Sequence, residues 1–215
     1  MPRRPEKEPG VAGGSVIEGE PLDCVVLAAG ASTRMGKAKI HLPFAGRTIV
    51  GTTAAQALDA GLRVILVARP DDEAIGALGG GRVLVVRNPD PGRGMLSSIK
   101  EGIRHVSAGS FFFIPADMPF PGPEVYRTLA ERRTGGPVIP VCGGRRGHPV
   151  LLPASLIPSI LALPLETPLK LLIEAASPLL VEMAEDSILR DIDTVEDYER
   201  ALAVDEPMND PLLGA

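Results

Sequence analysis

Short β-branched runs alternate with helical patterns from residue 22 to residue 202, and that alternation leaves few folds open. The apolar run at 22–28, LDCVVLA, has the composition of a strand covered on both faces. Residues 63–68, 82–87 and 111–115 are expected as further strands. Between them, residues 48–60 are expected as a helix ending at Gly61 and residues 71–78 as a short helix closed by glycines. Residues 95–106 are expected as a helix with Met95, Ile99, Ile103 and Val106 on one face, and 123–133 as a helix opened by Pro123. This order implies a mostly parallel sheet with helices on both faces.

The second half is denser in strands and turns. Residues 137–141 and 149–152 are expected as strands joined through Gly143, Gly144 and Gly147, so a small antiparallel portion is expected there. Helices are expected at 155–163 and 169–175, and late strands at 179–183 and 188–192. A last helix is expected over 194–202, with Thr194 as its cap and Asp197 three positions on. Residues 1–20 and 204–215 carry Pro, Gly or charge without hydrophobic period and are expected as tails around one domain, 21–203.

Composition narrows the function. Of 215 residues 45% are apolar, enough for a sizeable core, and the net charge of −5 argues against a bulk nucleic-acid binder. With no Trp and 3% aromatics, stacking platforms for bases or sugars are not expected. Two Cys make no disulfide framework and have no metal-ligand spacing. No apolar stretch approaches the roughly 20 residues of a membrane span, and the charged first residues do not resemble a signal peptide. A cytoplasmic protein is the expectation.

The run 22–28 leads into a loop of small residues ending at Lys39, placed where open α/β sheets bind ligands. Its backbone N–H groups suit phosphate oxygens, and Arg34 and Lys39 add positive charge. A flexible βα turn with solvated cations has the same composition. The loop is neither a three-glycine dinucleotide fingerprint nor a Walker A loop.

The whole string LAAGASTRMGKAK resembles the signature of the MobA-like nucleotidyltransferases, LAAGxSxRMGxxK. Four further segments resemble that family in its order: NPDPGRGMLSSIKEGI (88–103), PADMPF (115–120), GGRRGHPVLL (143–152) and DIDTVEDYERAL (191–202). The resemblance implies a Rossmann-like three-layer α/β/α fold of the nucleotide-diphospho-sugar transferase type. It implies transfer of a nucleotidyl group to a phosphorylated acceptor with release of pyrophosphate. The subgroup nearest in pattern transfers CMP from CTP to molybdopterin cofactor.

By the same resemblance, Leu27, Ala28, Ala29, Gly30 and Ser32 hold the nucleotide, Arg34 the leaving phosphates, and Lys39 the α-phosphate or the acceptor. Asn88, Gly94, Met95 and Ser98 fall in the segment that meets the base. Asp117, which alone reads as a turn cap before Met118-Pro119, becomes a Mg²⁺ ligand and catalytic residue. Asp193 is the second candidate ligand and Asp191 the fallback; the alternative reading is that both only order the start of the last helix. Ala116 stands where the family has Gly, and Val195 where relatives have Pro. Arg146, Gly147 and His148 fall beside the acceptor, with Arg145 in the same basic turn. Ala29 makes the motif LAAG, the cytidylyl form, rather than LAGG. His41, His105, Cys24 and Cys142 receive no role. A molybdoenzyme or its chaperone is the implied recipient of the product, and neither nucleic acid nor membrane is expected as a partner. Two other readings are another acceptor, such as a sugar or polyol phosphate, and a non-catalytic nucleotide-binding cofactor chaperone.

Overall fold

The computed structural model describes residues 21–30 and 39–205. Along the described chain come β1 (Asp23–Leu27), a hairpin of β2 (Pro43–Phe44) and β3 (Arg47–Thr48), α1 (Ile49–Asp59), β4 (Arg63–Ala68), α2 (Glu73–Gly76) and β5 (Val83–Arg87). These are followed by α3 (Met95–Ile103), β6 (Ser110–Pro115), α4 (Pro123–Glu131), β7 (Val138–Cys142), β8 (Arg145–Arg146) and β9 (Val150–Pro153). The last elements are α5 (Ile157–Ala162), α6 (Leu169–Ala175), β10 (Leu179–Glu182) and α7 (Val195–Asp205). The expected tail at 1–20, and 204–215 apart from the two residues that continue α7, lie outside the described residues.

The main sheet has the order β10-β7-β9-β6-β1-β4-β5, with β8 attached to β7. β1 pairs in parallel with β4 and β6, and all five of its residues are buried. β9 runs antiparallel to both β6 and β7, the reversed portion expected from the second half. Period-two alternation divides the core. Cys24 and Val26 of β1 join one apolar cluster with α1 and α4, through Ala54 and Tyr126 among others. Val25 and Leu27 join the opposite cluster with Ile99 of α3, Ile160 of α5 and Ile173 of α6. The fold is therefore a mostly parallel sheet between two helical layers.

Local chemistry fixes the helix ends. Thr48 Oγ1 accepts the Gly51 N–H at 3.1 Å, opening α1. At α7, Thr194 N–H donates to Asp197 Oδ2 (3.0 Å) and Asp197 N–H donates to Thr194 Oγ1 (3.1 Å), the reciprocal box expected from the sequence. α3 lies close against the sheet because Gly102 faces it; a Cβ there would stand 2.4 Å from Val25 Cγ1 and 2.8 Å from Val67 Cγ2. At the edge remote from the first loop, buried Asp23 accepts two bonds from Arg63 (2.8 and 2.9 Å) and the N–H groups of Ser107 and Ala108 (2.8 and 3.2 Å). Burial would raise its pKa, but Arg63 and the two N–H donors hold the carboxyl below its ordinary value.

Three expectations need correction. Residues 188–192 do not form a strand. A single 3₁₀ turn at Asp186–Leu189 leads into an unpaired segment that bonds to loops: Ile188 O accepts the His148 N–H, and Ile192 N–H donates to Asp117 O, both at 2.9 Å. Ile188 and Ile192 are fully buried, so packing rather than strand pairing explains the apolar spacing. The helix expected over 95–106 stops at Ile103, and its buried apolar positions are Leu96, Ile99 and Ile103, while Met95 is 56% exposed. The helix expected over 71–78 shrinks to one turn capped by Asp72, whose Oδ1 accepts the Ile75 N–H at 3.1 Å.

Candidate active site

The carboxyl ends of β1, β4 and β6 open into a cleft of about 550 Å³. Leu27, Ala28 and Gly30 form its floor, where strand-end rules place a ligand. Ala28 N–H donates to Val67 O at 2.8 Å, so that donor is committed to the sheet. Ala29 is buried in the cluster containing Val86, Leu96 and Ile99 and supports the floor from below. Ser32 and Arg34 lie outside the described residues.

Lys39 begins a single 3₁₀ turn and is buried. Its Nζ donates to Asp117 Oδ2 at 2.8 Å and to Asp193 Oδ1. Burial alone would lower the Lys39 pKa, but the two carboxylates outweigh it, and the ammonium is held above its ordinary value. Three hydrogen bonds to the backbone of Ala116 and Asp117 fix Asp117 in place. Ala116 N–H donates to Leu27 O (3.1 Å), Thr53 Oγ1 donates to Ala116 O (2.9 Å), and Asp117 O accepts the Ile192 N–H. Ala116, where the family has Gly, is buried in the core cluster. Asp193 is set by the α7 cap, since Asp197 Oδ2 also accepts its N–H at 3.3 Å.

A second cleft of about 410 Å³ adjoins the first, and Met95, Pro115, Asp117 and Asp193 border both. Its far wall carries Arg145, Arg146, Gly147 and His148. A Gly147 Cβ would fall 2.2 Å from Ile188 O, so only glycine fits this crossing. His148 packs edge-on to Phe113, with ring centroids 5.5 Å apart. Burial lowers its pKa despite the Phe113 carbonyl and Asp117, so the imidazole is neutral near pH 7. Among the described residues its buried Nδ1 has no hydrogen-bond partner. Asp191 lines the same cleft; burial, then the charges of Asp193 and Asp117, push its carboxyl up.

The structure gathers most of the described sequence candidates on the two clefts and leaves Ala29 and Asn88 buried behind them. Asn88 is buried and does not line the cleft. Its amide donates to Ser97 and Ser98 Oγ at 2.9 and 3.0 Å, and its Oδ1 accepts the Asp90 N–H at 3.0 Å. It braces the loop that carries Gly94 and Met95, which do line the cleft with Ser98. Arg146 is paired through its guanidinium with Glu174 of α6, leaving Arg145 on the same wall without an ion pair among the described residues. Sequence reasoning missed Arg69 and Asp72 of the first cleft. Arg69 directly follows β4, so the strand-end rule could have found it. Asp72 also bonds His41 Nε2 at 2.9 Å, giving that histidine a structural partner.

The arrangement suits phosphate chemistry with a hard cation. Two carboxylates converge on one cationic atom, and among the described residues no cluster of three or more His, Cys, Asp or Glu is arranged to hold a metal. One or two carboxylates, with the remaining positions left to phosphate and water, is the usual Mg²⁺ donor set. Among the described residues no helix is long and apolar enough to cross a membrane.

Comparison with known proteins identifies the family. The profile of the MobA-like NTP transferase domain matches residues 24–179. The chain is 30% identical over 179 residues to the molybdenum cofactor cytidylyltransferase of Escherichia coli (strain K12), covering 82% of this chain and 93% of that protein. A nucleotidyl transferase from Methanothermobacter has a TM-score of 0.76 and 26% identity, over 87% of this chain and 98% of that one. The manganese complex of Rv0371c from Mycobacterium tuberculosis H37Rv has a TM-score of 0.66 and 25% identity, over 85% and 98%. The fold is that of the nucleotide-diphospho-sugar transferases, and the chain belongs to the MobA-like NTP transferase family of nucleotidyltransferases.

Proposed function

We propose that the protein transfers CMP from CTP to the phosphate of molybdopterin cofactor, with residues 21–203 as the transferase domain, acting in the cytoplasm with Mg²⁺. An acceptor phosphate oxygen attacks the α-phosphorus, the bond from the α-phosphorus to the bridging oxygen breaks, and pyrophosphate leaves. The observation that carries the reading is the placement of Asp117 and Asp193 on the border of two clefts, with Lys39 bonded to both. One cleft takes the nucleotide and the other the acceptor, so the reacting phosphates meet at that border.

In this reading Gly30, Gly94 and Ser98 hold the nucleotide, and Met95 stands between nucleotide and acceptor. Lys39 contacts the α-phosphate as charge builds, and Arg34 the departing phosphates. Asp117 and Asp193 would hold the divalent ion, which when bound neutralises phosphate oxygens. Arg145 and the neutral His148 face the acceptor, and Arg146 steadies that wall through Glu174. The Escherichia coli relative supports the acceptor, and Ala29 of the LAAG motif supports CTP.

Pyrophosphate release, measured with each of the four nucleoside triphosphates and Mg²⁺, with and without the cofactor, tests the proposal. Release from CTP only with the cofactor is expected. Preference for GTP would overturn the base assignment, and turnover only with a sugar or polyol phosphate would overturn the acceptor. Nucleotide binding without turnover on any acceptor would favour the chaperone reading.

A further inference from the structure

Lys39 gives one N–H to Asp117 Oδ2 and another to Asp193 Oδ1. Its side chain is 10% exposed, against 22% and 45% for the two carboxylates. Among the described residues, the ion-pair partners of the buried ammonium are thus the two carboxylates best placed to bind a hard cation. An ammonium is a compact point charge on a flexible four-carbon stem. It and a divalent ion need the same oxygens. An ion binding alone would strip Lys39 of its partners and leave a buried charge unpaired, which is costly. Phosphate in the same cleft would offer Lys39 a replacement anion.

We propose that Lys39 is a built-in competitor of the divalent ion: it holds Asp117 and Asp193 as an internal counter-ion and releases them when nucleotide phosphate gives it another partner. The inference rests on the reading of Asp117 and Asp193 as the ion's ligands. It makes ion and nucleotide binding mutually reinforcing, because each removes the cost the other meets. The protein alone binds the ion weakly.

The test is Mn²⁺ binding to the full chain without nucleotide, followed by electron paramagnetic resonance of the free ion, with thermal melting to verify folding. Lys39→Met is expected to bind Mn²⁺ about ten- to a hundredfold more tightly than wild type, the scale of one or two hydrogen bonds to charged groups. Lys39→Gln, which keeps two N–H donors without the charge, should fall between and covers the case in which Lys39→Met does not fold. Asp117→Asn and Asp193→Asn should weaken binding. Equal or weaker Mn²⁺ binding in the folded Lys39 variants, with binding still lost in the Asp variants, would overturn the competitor and leave the ligand assignment standing. Unchanged affinity in both Asp variants would overturn the ligand assignment, and this inference with it.

Discussion

Gly147→Ala probes the junction between the wall of the second cleft and the segment leading to Asp193. The added Cβ would stand 2.2 Å from Ile188 O, 2.8 Å from Ile188 C and 2.9 Å from Ile188 Cβ. Two of these atoms are backbone, so a rotamer change cannot relieve the clash. Gly147 N–H is tied to Pro140 O and His148 N–H to Ile188 O, both at 2.9 Å, so the two strands of chain cannot separate without losing a bond. Overpacking of about 1–3 kcal/mol plus roughly 1 kcal/mol for one lost hydrogen bond gives a cost of about 2–4 kcal/mol. Urea unfolding of the variant beside wild type measures it. Gly136→Ala is the control, because a Cβ there meets only Ala176 O at 3.7 Å, an ordinary contact; it should stay within about 1 kcal/mol of wild type. A Gly147→Ala protein as stable as wild type would show that the crossing is looser than its geometry implies.

Three further outcomes follow from the packing. Gly102→Ala should lift α3 from β1 and β4 at about 1–3 kcal/mol, read by the same unfolding assay. Asp23 has a folded pKa below its ordinary value of 3.8, so its contribution is whole above that pH and is lost as pH falls through the folded value. Unfolding free energy measured from pH 5 downward should show this loss in wild type, and Asp23→Asn should lack that portion of the slope. Asn88→Ala removes the amide that ties Ser97, Ser98 and Asp90 together and should destabilise the protein by about 1–3 kcal/mol. Steady-state kinetics of that variant should show a higher KM for nucleotide with a smaller change in kcat, because the brace lies behind the cleft.

The central strands were legible because burial on both faces leaves no polar alternation to confuse them; β4 spans the expected 63–68. The stretch 188–192 misled for a related reason, since Ile188 and Ile192 are buried by packing against loops, which apolar spacing cannot distinguish from pairing. The β2–β3 hairpin was missed. Its two turn residues are Ala45 (φ 48°) and Gly46 (φ 71°), and only the second carries the usual signal for positive φ. Candidate site residues were found through segment resemblance, but their pairings were hidden. Lys39 and Asp193 lie 154 residues apart, and nothing local ties Arg146 to Glu174. Met95 was read into the apolar face because its spacing from Ile99 is helical, whereas it stands at the first residue of α3 and reaches both clefts.

The reversal of β9 has a consequence for how this scaffold can diversify. In a parallel strand only the residues that follow it reach the ligand-binding edge. β9 enters from that edge, with Val150 opposite Phe113, so the residues that precede it, Gly147 and His148, arrive beside Asp117. The wall of the second cleft is therefore carried on the β7–β8–β9 hairpin arm, while the floor of the first belongs to the parallel strands. On the proposed assignment of the two clefts, a graft of residues 138–153 from a relative with a different acceptor exchanges one substrate and spares the other.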